Sequence, residues 1–273
     1  MEKVPYLSAV GTLQYLATTT CPDISYTVCI LAHFNCNPGL EHWKAVKHLF
    51  HYLKGSLDYK LVYSPIDSSE LFITYTDADH GGNPDNGCST GGYAIIMGGA
   101  AVSWSSRLQP VVSLSTTEAE YIAAVEAGKK IIWMRNLLSE FGFTITSPST
   151  LLIDNNSAVT VAKNPEHHSR MKHLNLRYHW LRDTVEAKFI SPIHVPTTSQ
   201  AADILTKPLK RQKMLLFLLF HTLFILSLTL ICDALITSMF AIIYIYPYRT
   251  QSPIIALFSC LHWTLGIVLV LFT

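Results

Sequence analysis

The chain has 273 residues, a net charge of +1 and only 14% charged residues, which suits one or two folded domains and excludes a disordered, highly charged chain. Residues 1–162 carry 9 Lys and Arg against 14 Asp and Glu, whereas residues 163–213 carry 10 against 4. An acidic part therefore borders a basic one, either as ordinary solvated surface or as a face for a polyanion.

The opening MEKVPYLSAVG lacks the apolar core of a secretion signal. Residues 1–60 read as helical. In LEHWKAVKHLFHYLKGS, Trp43, Val46, Phe50 and Leu53 recur at spacings of three and four. Lys44, Lys47, His51 and Lys54 form a second stripe, so the helix is amphipathic with a basic face toward water or toward phosphates.

LFITYTDA reads as a strand. Alternation puts Leu71, Ile73, Tyr75 and Asp77 on one face, the greasier one, so a carboxylate ends the strand on its expected buried side. GGYAIIMGG and AVSWSSR, parted by Gly98-Gly99, read as a hairpin. A long helix is expected over Thr116–Glu140, stopped by Gly142. On it, Glu120 heads a wholly apolar stripe of Ala124, Ala127, Ile131, Met134 and Leu138, and should face the sheet. Glu118 heads a mixed stripe, and Glu126 is expected to pair with Lys130.

STLLID is a short buried strand ending at Asp154, and NSAVTVAKN a short helix with an Asn cap. Residues 172–188 read as helix, FISPIHVPT as extended, and SQAADILTK as a short helix closed by Pro208. Three antiparallel strands followed by α/β units make an α/β fold with one mixed sheet and helices on its faces. Past residue 213 the composition changes. MLLFLLFHTLFILSLTLIC and IIALFSCLHWTLGIVLVLFT are each long enough to cross a bilayer, with ALITSMFAIIYIY between them. Lys210, Arg211 and Lys213 would hold the preceding part on the cytosolic side. Cys21, Cys29, Cys36, Cys88, Cys232 and Cys260 include no CxxC pair, which disfavours a zinc cage or disulfide framework and suggests reduced, buried thiols.

The acids Asp77, Glu120, Asp154 and Asp203 stand at strand and helix ends. Each has a structural alternative: helix-dipole stabilisation for Glu120, an N-terminal cap for Asp154 and for Asp203. Together they suggest a carboxylate cluster, which repels itself and calls for hard divalent cations such as Mg²⁺ or Mn²⁺. Two such ions about 3.5–4 Å apart drive in-line phosphodiester hydrolysis. No GxxxxGK[ST] loop is present.

YTDADHGG, STGGYAIIMGGAAVSWSSR, SLSTTEAEYIAA, LLIDNNSAV, HHSRMKHLNLRYHWLRD and VPTTSQAADILTKPL, in this order, resemble the ribonuclease H domain of copia-type LTR retrotransposon Pol polyproteins. YLSAVGTLQYLATTTCPDISY and HWKAVKHLFHYLKG resemble the segment between polymerase and ribonuclease H. The resemblance implies a ribonuclease H-like mixed five-stranded sheet with flanking helices over 66–212. A small helical thumb or connection-like segment, 1–65, would precede it, and an apolar tail, 214–273, with two or three transmembrane helices would follow. It implies metal-dependent cleavage of the RNA strand of RNA/DNA hybrids, with two Mg²⁺ or Mn²⁺ ions on Asp77, Glu120, Asp154 and Asp203, and Glu118 as a fallback for Glu120. Asp77 would bridge both ions, and Asp203 would hold one loosely.

Arg170, Lys172, His173, Arg177 and Arg182 would contact hybrid phosphates; Ser89, Thr90, Ser115 and Thr116 are candidates for 2′-hydroxyl contacts. No His precedes the last acid in VPTTSQAAD, so proton transfer would fall to solvent. The polymerase part of the same polyprotein is an expected partner. Cytoplasmic virus-like particles or the nucleus are the expected locations, and a membrane if the tail inserts. Cys21 stands where the family has Arg, His80 where it has an aromatic residue, and Cys88 where it has a basic one. Those departures, and the apolar tail in place of a polar helix, leave open an inactive relic read through into flanking sequence.

Overall fold

Two glycines set the start of the sheet. Gly98 and Gly99 both have positive φ, 60° and 81°, the conformation a two-residue hairpin needs to match strand twist. They join β2 (Thr90–Met97) to β3 (Ala100–Leu108), which pair antiparallel. In this computed structural model, which describes residues 4–65, 70–163 and 179–209, β2 also pairs antiparallel with β1 (Ile73–Ala78). β1 runs parallel to β4 (Ser149–Ile153), and β4 parallel to β5 (Ile190–His194). The strand order β3-β2-β1-β4-β5 is the mixed five-stranded sheet expected from the sequence, with β1 at its centre.

Helix α4 (Thr116–Glu140) lies on one face. Ser115 caps it by accepting from the Glu118 N–H at 3.2 Å, and Glu118 reaches back to the Leu114 N–H at 2.8 Å. At the other end Gly142, φ 87°, closes a Schellman turn in which Phe143 N–H donates to Leu138 O and Gly142 N–H to Ser139 O. Ala124, Ala127, Ile131, Met134 and Leu138 are all buried, as the stripe predicted. They pack with Phe72, Ile95, Leu151 and Ile153 into the main core, to which α5 (Asn156–Lys163) and α6 (His179–Glu186) add Ala158, Val159 and Leu181. Glu126 pairs with Lys129 at 2.6 Å instead of Lys130, whose ammonium stacks 3.4 Å above the Trp133 ring.

The strand β1 corrects one expectation. Its more deeply buried face is Phe72, Thr74 and Thr76, under α4, while Ile73 and Tyr75 are half-buried and Leu71 is exposed. A greasy alternation cannot tell which face receives the long helix when both faces are covered. Asp77 is nonetheless buried, 1% exposed, because Leu205 and Thr206 close over its side of the sheet beside Gly92.

Before the sheet come α1 (Tyr6–Thr19), a 3₁₀ turn at Pro22–Ile24, α2 (Ser25–Ala32) and α3 (Leu40–Gly55). Their own core joins Tyr6, Val10, Leu13, Ile24, Val28, Leu31, Val46 and Leu49. In α3 Leu49 takes the inward place expected of Phe50, which is 40% exposed; Lys44, Lys47, His51 and Lys54 all face out. The layer is tied to β3 through Trp104 Nε1, which donates to Ala17 O at 2.7 Å, and Tyr63, whose hydroxyl donates to Ala101 O at 2.9 Å. Of the described cysteines, all four are free; Cys88 is buried and Cys36 exposed. The described residues fall in one compact unit, Met1–Thr222. None of their helices is long and apolar enough to cross a membrane, and the apolar runs of 214–273 lie outside them.

Candidate metal centre

Asp77 is the last but one residue of β1, Asp154 follows β4 directly, and these are neighbouring parallel strands with their carboxyl ends on the same edge. Such an edge is where α/β sheets present ligands. Glu120, on the second turn of α4, projects to the same place. One carboxylate oxygen from each of Asp77, Glu120 and Asp154 lies within 4.8 Å of the other two. Asp77 and Glu120 are buried, 1% and 6% exposed, and Asp154 is half-buried.

None of the structural alternatives claims these acids. The cap of α5 is Asn155, whose Oδ1 accepts from Ser157 N–H at 2.9 Å and Ala158 N–H at 3.2 Å, which leaves Asp154 free of that duty. Asp154 instead accepts from the Thr197 hydroxyl at 3.1 Å. Glu118, not Glu120, serves the start of α4, and Glu118 lies outside the three-acid cluster.

Asp203 sits in a 3₁₀ turn, Ala201–Leu205, and the N-terminal hydrogen bond there is made by Gln200, whose Oε1 accepts from Ala202 N–H at 3.3 Å. Gln200 Nε2 donates to Thr76 O at 2.8 Å and so pins that turn to β1. Asp203 is 1% exposed and meets the cluster through Lys207, whose Nζ is 2.7 Å from Asp203 Oδ1 and 3.4 Å from Asp77 Oδ2. The Thr206 hydroxyl also donates to Asp77 Oδ2.

The electrostatics of the cluster are unfavourable without a cation. Burial pushes the Asp77 carboxyl above the usual range, opposed by the Lys207 charge and the Thr206 hydrogen bond and reinforced by Asp203 and Asp154. Burial, then the charges of Asp77 and Asp154, push Glu120 up to about 10. Oε2 of Glu120 is buried without a hydrogen-bond donor. An orphaned buried oxygen among three converging carboxylates fits a hard divalent cation, which would supply the missing positive charge.

The residues expected to touch nucleic acid divide. Ser89 and Thr90 are buried: Ser89 Oγ accepts from Gly81 N–H at 3.0 Å, and Thr90 N–H donates to Asp79. The Ser89 hydroxyl and the Thr90 backbone N–H build the loop after β1, and neither side chain is on the surface. Ser115 and Thr116 are exposed. Arg182 is half-buried and turned inward, its Nε donating to Val161 O at 2.9 Å. Arg170, Lys172, His173 and Arg177 lie outside the described residues. Sequence reasoning passed over Thr197, Gln200, Thr206 and Lys207. Lys207 alone left a signal, a Lys four residues after an acid on a helical turn.

Over 213 residues the chain is 43% identical to the retrovirus-related Pol polyprotein from transposon TNT 1-94 of Nicotiana tabacum, a match spanning 78% of this chain and 16% of that protein. It is 40% identical over 134 residues to the secreted RxLR effector protein 161 of Plasmopara viticola, spanning 49% of this chain and 94% of that one. Among solved structures, LC11-RNase H1 in complex with RNA/DNA hybrid is 18% identical, with a TM-score of 0.36 over 50% of this chain and 93% of that one. No protein-family model matches. The chain thus spans about a sixth of the tobacco polyprotein.

Proposed function

Because the chain belongs to the Pol polyproteins of plant copia-type retrotransposons, we propose that it is the part of such a polyprotein that hydrolyses the RNA strand of RNA/DNA hybrids with two Mg²⁺ or Mn²⁺ ions. The observation that carries this reading is the convergence of Asp77, Glu120 and Asp154, from three separate elements, within 4.8 Å. Asp203 completes the set on the far side of Lys207.

Divalent ions held there would supply the acidity that makes a bound water nucleophilic and positive charge against the charge developing on the phosphate oxygens. The protein's own residues do the rest. Asp77, Glu120 and Asp154 would hold the cations, and their burial keeps bulk water from screening that interaction. Thr206 fixes the rotamer of Asp77, and Thr197 that of Asp154. Residues 195–203 contain no His, so proton transfer would fall to solvent. The exposed Ser115 and Thr116, at the start of α4 one turn before Glu120, would offer hydroxyls to the 2′-hydroxyls of the RNA strand. The polymerase part of the polyprotein is the partner that would deliver the hybrid.

The test is cleavage of a labelled RNA/DNA hybrid by the full-length chain with Mg²⁺ or Mn²⁺. Cleavage of the RNA strand alone is expected, falling at least about a hundredfold in Asp154→Asn. A folded wild type that binds the hybrid and cleaves it with neither ion overturns the assignment.

A further inference from the structure

The four acids are not equivalent, because one cation is already among them. Lys207 follows two residues after the 3₁₀ turn that carries Asp203, and its backbone N–H donates to Asp203 O at 3.2 Å. Its ammonium lies between two carboxylates that are each 1% exposed, 2.7 Å from Asp203 and 3.4 Å from Asp77. Its own side chain is 38% exposed, so the stem leads out to water. On the other side of Asp77, the Asp77–Glu120–Asp154 group has no such occupant among the described residues, and Oε2 of Glu120 lacks a donor.

We infer that Lys207 is a tethered competitor for the second divalent ion. Its ammonium fills the position between Asp77 and Asp203, so the free protein takes one ion at Asp77–Glu120–Asp154 and admits the second as Lys207 swings out. The inference rests on the metal-dependent reading above. An ammonium and a divalent ion cannot share two carboxylates a few ångströms apart, since their repulsion there is large. The lysine keeps the Asp77–Asp203 pair tolerable without the ion, where two buried like charges would otherwise be strongly destabilising. Its flexible, half-exposed stem gives it somewhere to go. Lys207 is therefore a positioning residue that sets how readily the second ion enters.

Competition of this kind lowers the apparent affinity of the second ion by the fraction of time the lysine is out; one part in ten gives about a tenfold weakening. The probe is Mn²⁺ titrated into the full-length chain without nucleic acid, with free Mn²⁺ followed by electron paramagnetic resonance. Wild type should take one ion tightly and a second weakly. Lys207→Met should tighten the second by about tenfold and leave the first within about twofold. Lys207→Arg, which keeps the charge, should resemble wild type. Lys207→Gln keeps a donor for Asp203 without the charge and covers the case in which Met at this position unfolds the ion-free protein. Second-ion affinity that is unchanged or weaker in both neutral variants overturns the role of Lys207 while leaving the first site intact. A folded wild type that takes no Mn²⁺ at all overturns the metal centre itself, so the two failures are distinct.

Discussion

Gly92→Ala probes the contact that buries Asp77. Gly92 sits on β2 directly across from Asp77, and a Cβ there would lie 2.7 Å from Leu205 Cβ, 3.0 Å from Thr206 Cγ2 and 3.3 Å from Ser105 O. Carbon atoms in contact sit about 3.5–4.0 Å apart, so Leu205 must withdraw by roughly 1 Å. Its Cβ is fixed to the backbone, and no rotamer change relieves the clash. The 201–205 turn moves as a piece, carrying Asp203, Thr206 and Lys207 away from Asp77. Overpacking of this size costs about 1–3 kcal/mol. At about 2–4 °C per kcal/mol for a domain of this size, the midpoint falls by roughly 2–12 °C. A displacement of about 1 Å at a catalytic group lowers turnover by up to about a hundredfold. Thermal unfolding with and without Mg²⁺, beside hybrid cleavage, reads both effects. Gly11→Ala, in α1 with nothing within 4 Å of the added carbon, is the control and should stabilise by about 0.5–1 kcal/mol. A Gly92→Ala protein that unfolds with wild type and cleaves at the wild-type rate refutes the packing argument.

Glu120→Gln should change how stability depends on pH. The folded-state pKa of Glu120, about 10, lies above the ordinary value of about 4.3, so its contribution is whole below pH 4 and is lost as pH rises toward 10. In EDTA the wild type should lose up to about 1.4 kcal/mol per pH unit from this group between pH 5 and 8, and Glu120→Gln should be spared that slope. Parallel wild-type and variant profiles from urea unfolding would remove the electrostatic account of the site. Gln200→Leu deletes the Nε2 hydrogen bond to Thr76 O, at a cost of about 0.5–1.5 kcal/mol. It should also weaken the binding of Mn²⁺ that depends on Asp203 more than the binding at Glu120; equal weakening at both would show that Gln200 supports the whole sheet instead of one turn.

What the sequence disclosed was periodicity and punctuation. The Gly98-Gly99 turn, the Gly142 stop and the apolar stripe of α4 with Glu120 at its head are local chemistry, and each stands where the pattern put it. What it withheld depended on tertiary neighbours. Thr74 and Thr76 look like a solvent face and are covered by α4, since a central strand has no solvent face. Phe50 and Leu49 are one helical step apart, and only the position of α1 and α2 decides which turns inward. Ser89 and Thr90 look like surface hydroxyls, yet both are buried, with the loop after β1 folded onto the Ser89 hydroxyl and the Thr90 backbone. Lys207 reads as one more basic residue because Asp77, its second partner, is far away in the chain.

The departures at Cys21, His80 and Cys88 bear on whether the site still has chemistry to perform. Cys21 is half-buried in the helical layer, His80 is exposed, and Cys88 is buried in the loop after β1, where a basic residue would lack solvent. None of them belongs to the acid cluster. The cluster, by contrast, is costly to keep. Asp77 and Glu120 are held in a buried, mutually repulsive arrangement that raises both their pKa values, and a neutral amide or an apolar side chain at either position would relieve it. Thr197, Thr206 and Gln200 each contribute a hydrogen bond that serves the position of an acid, or of the turn carrying one. A scaffold kept only for its fold gains nothing from that strain. A scaffold that binds divalent cations would recover it on binding, so the strain is what the proposed metal centre requires of the ion-free protein.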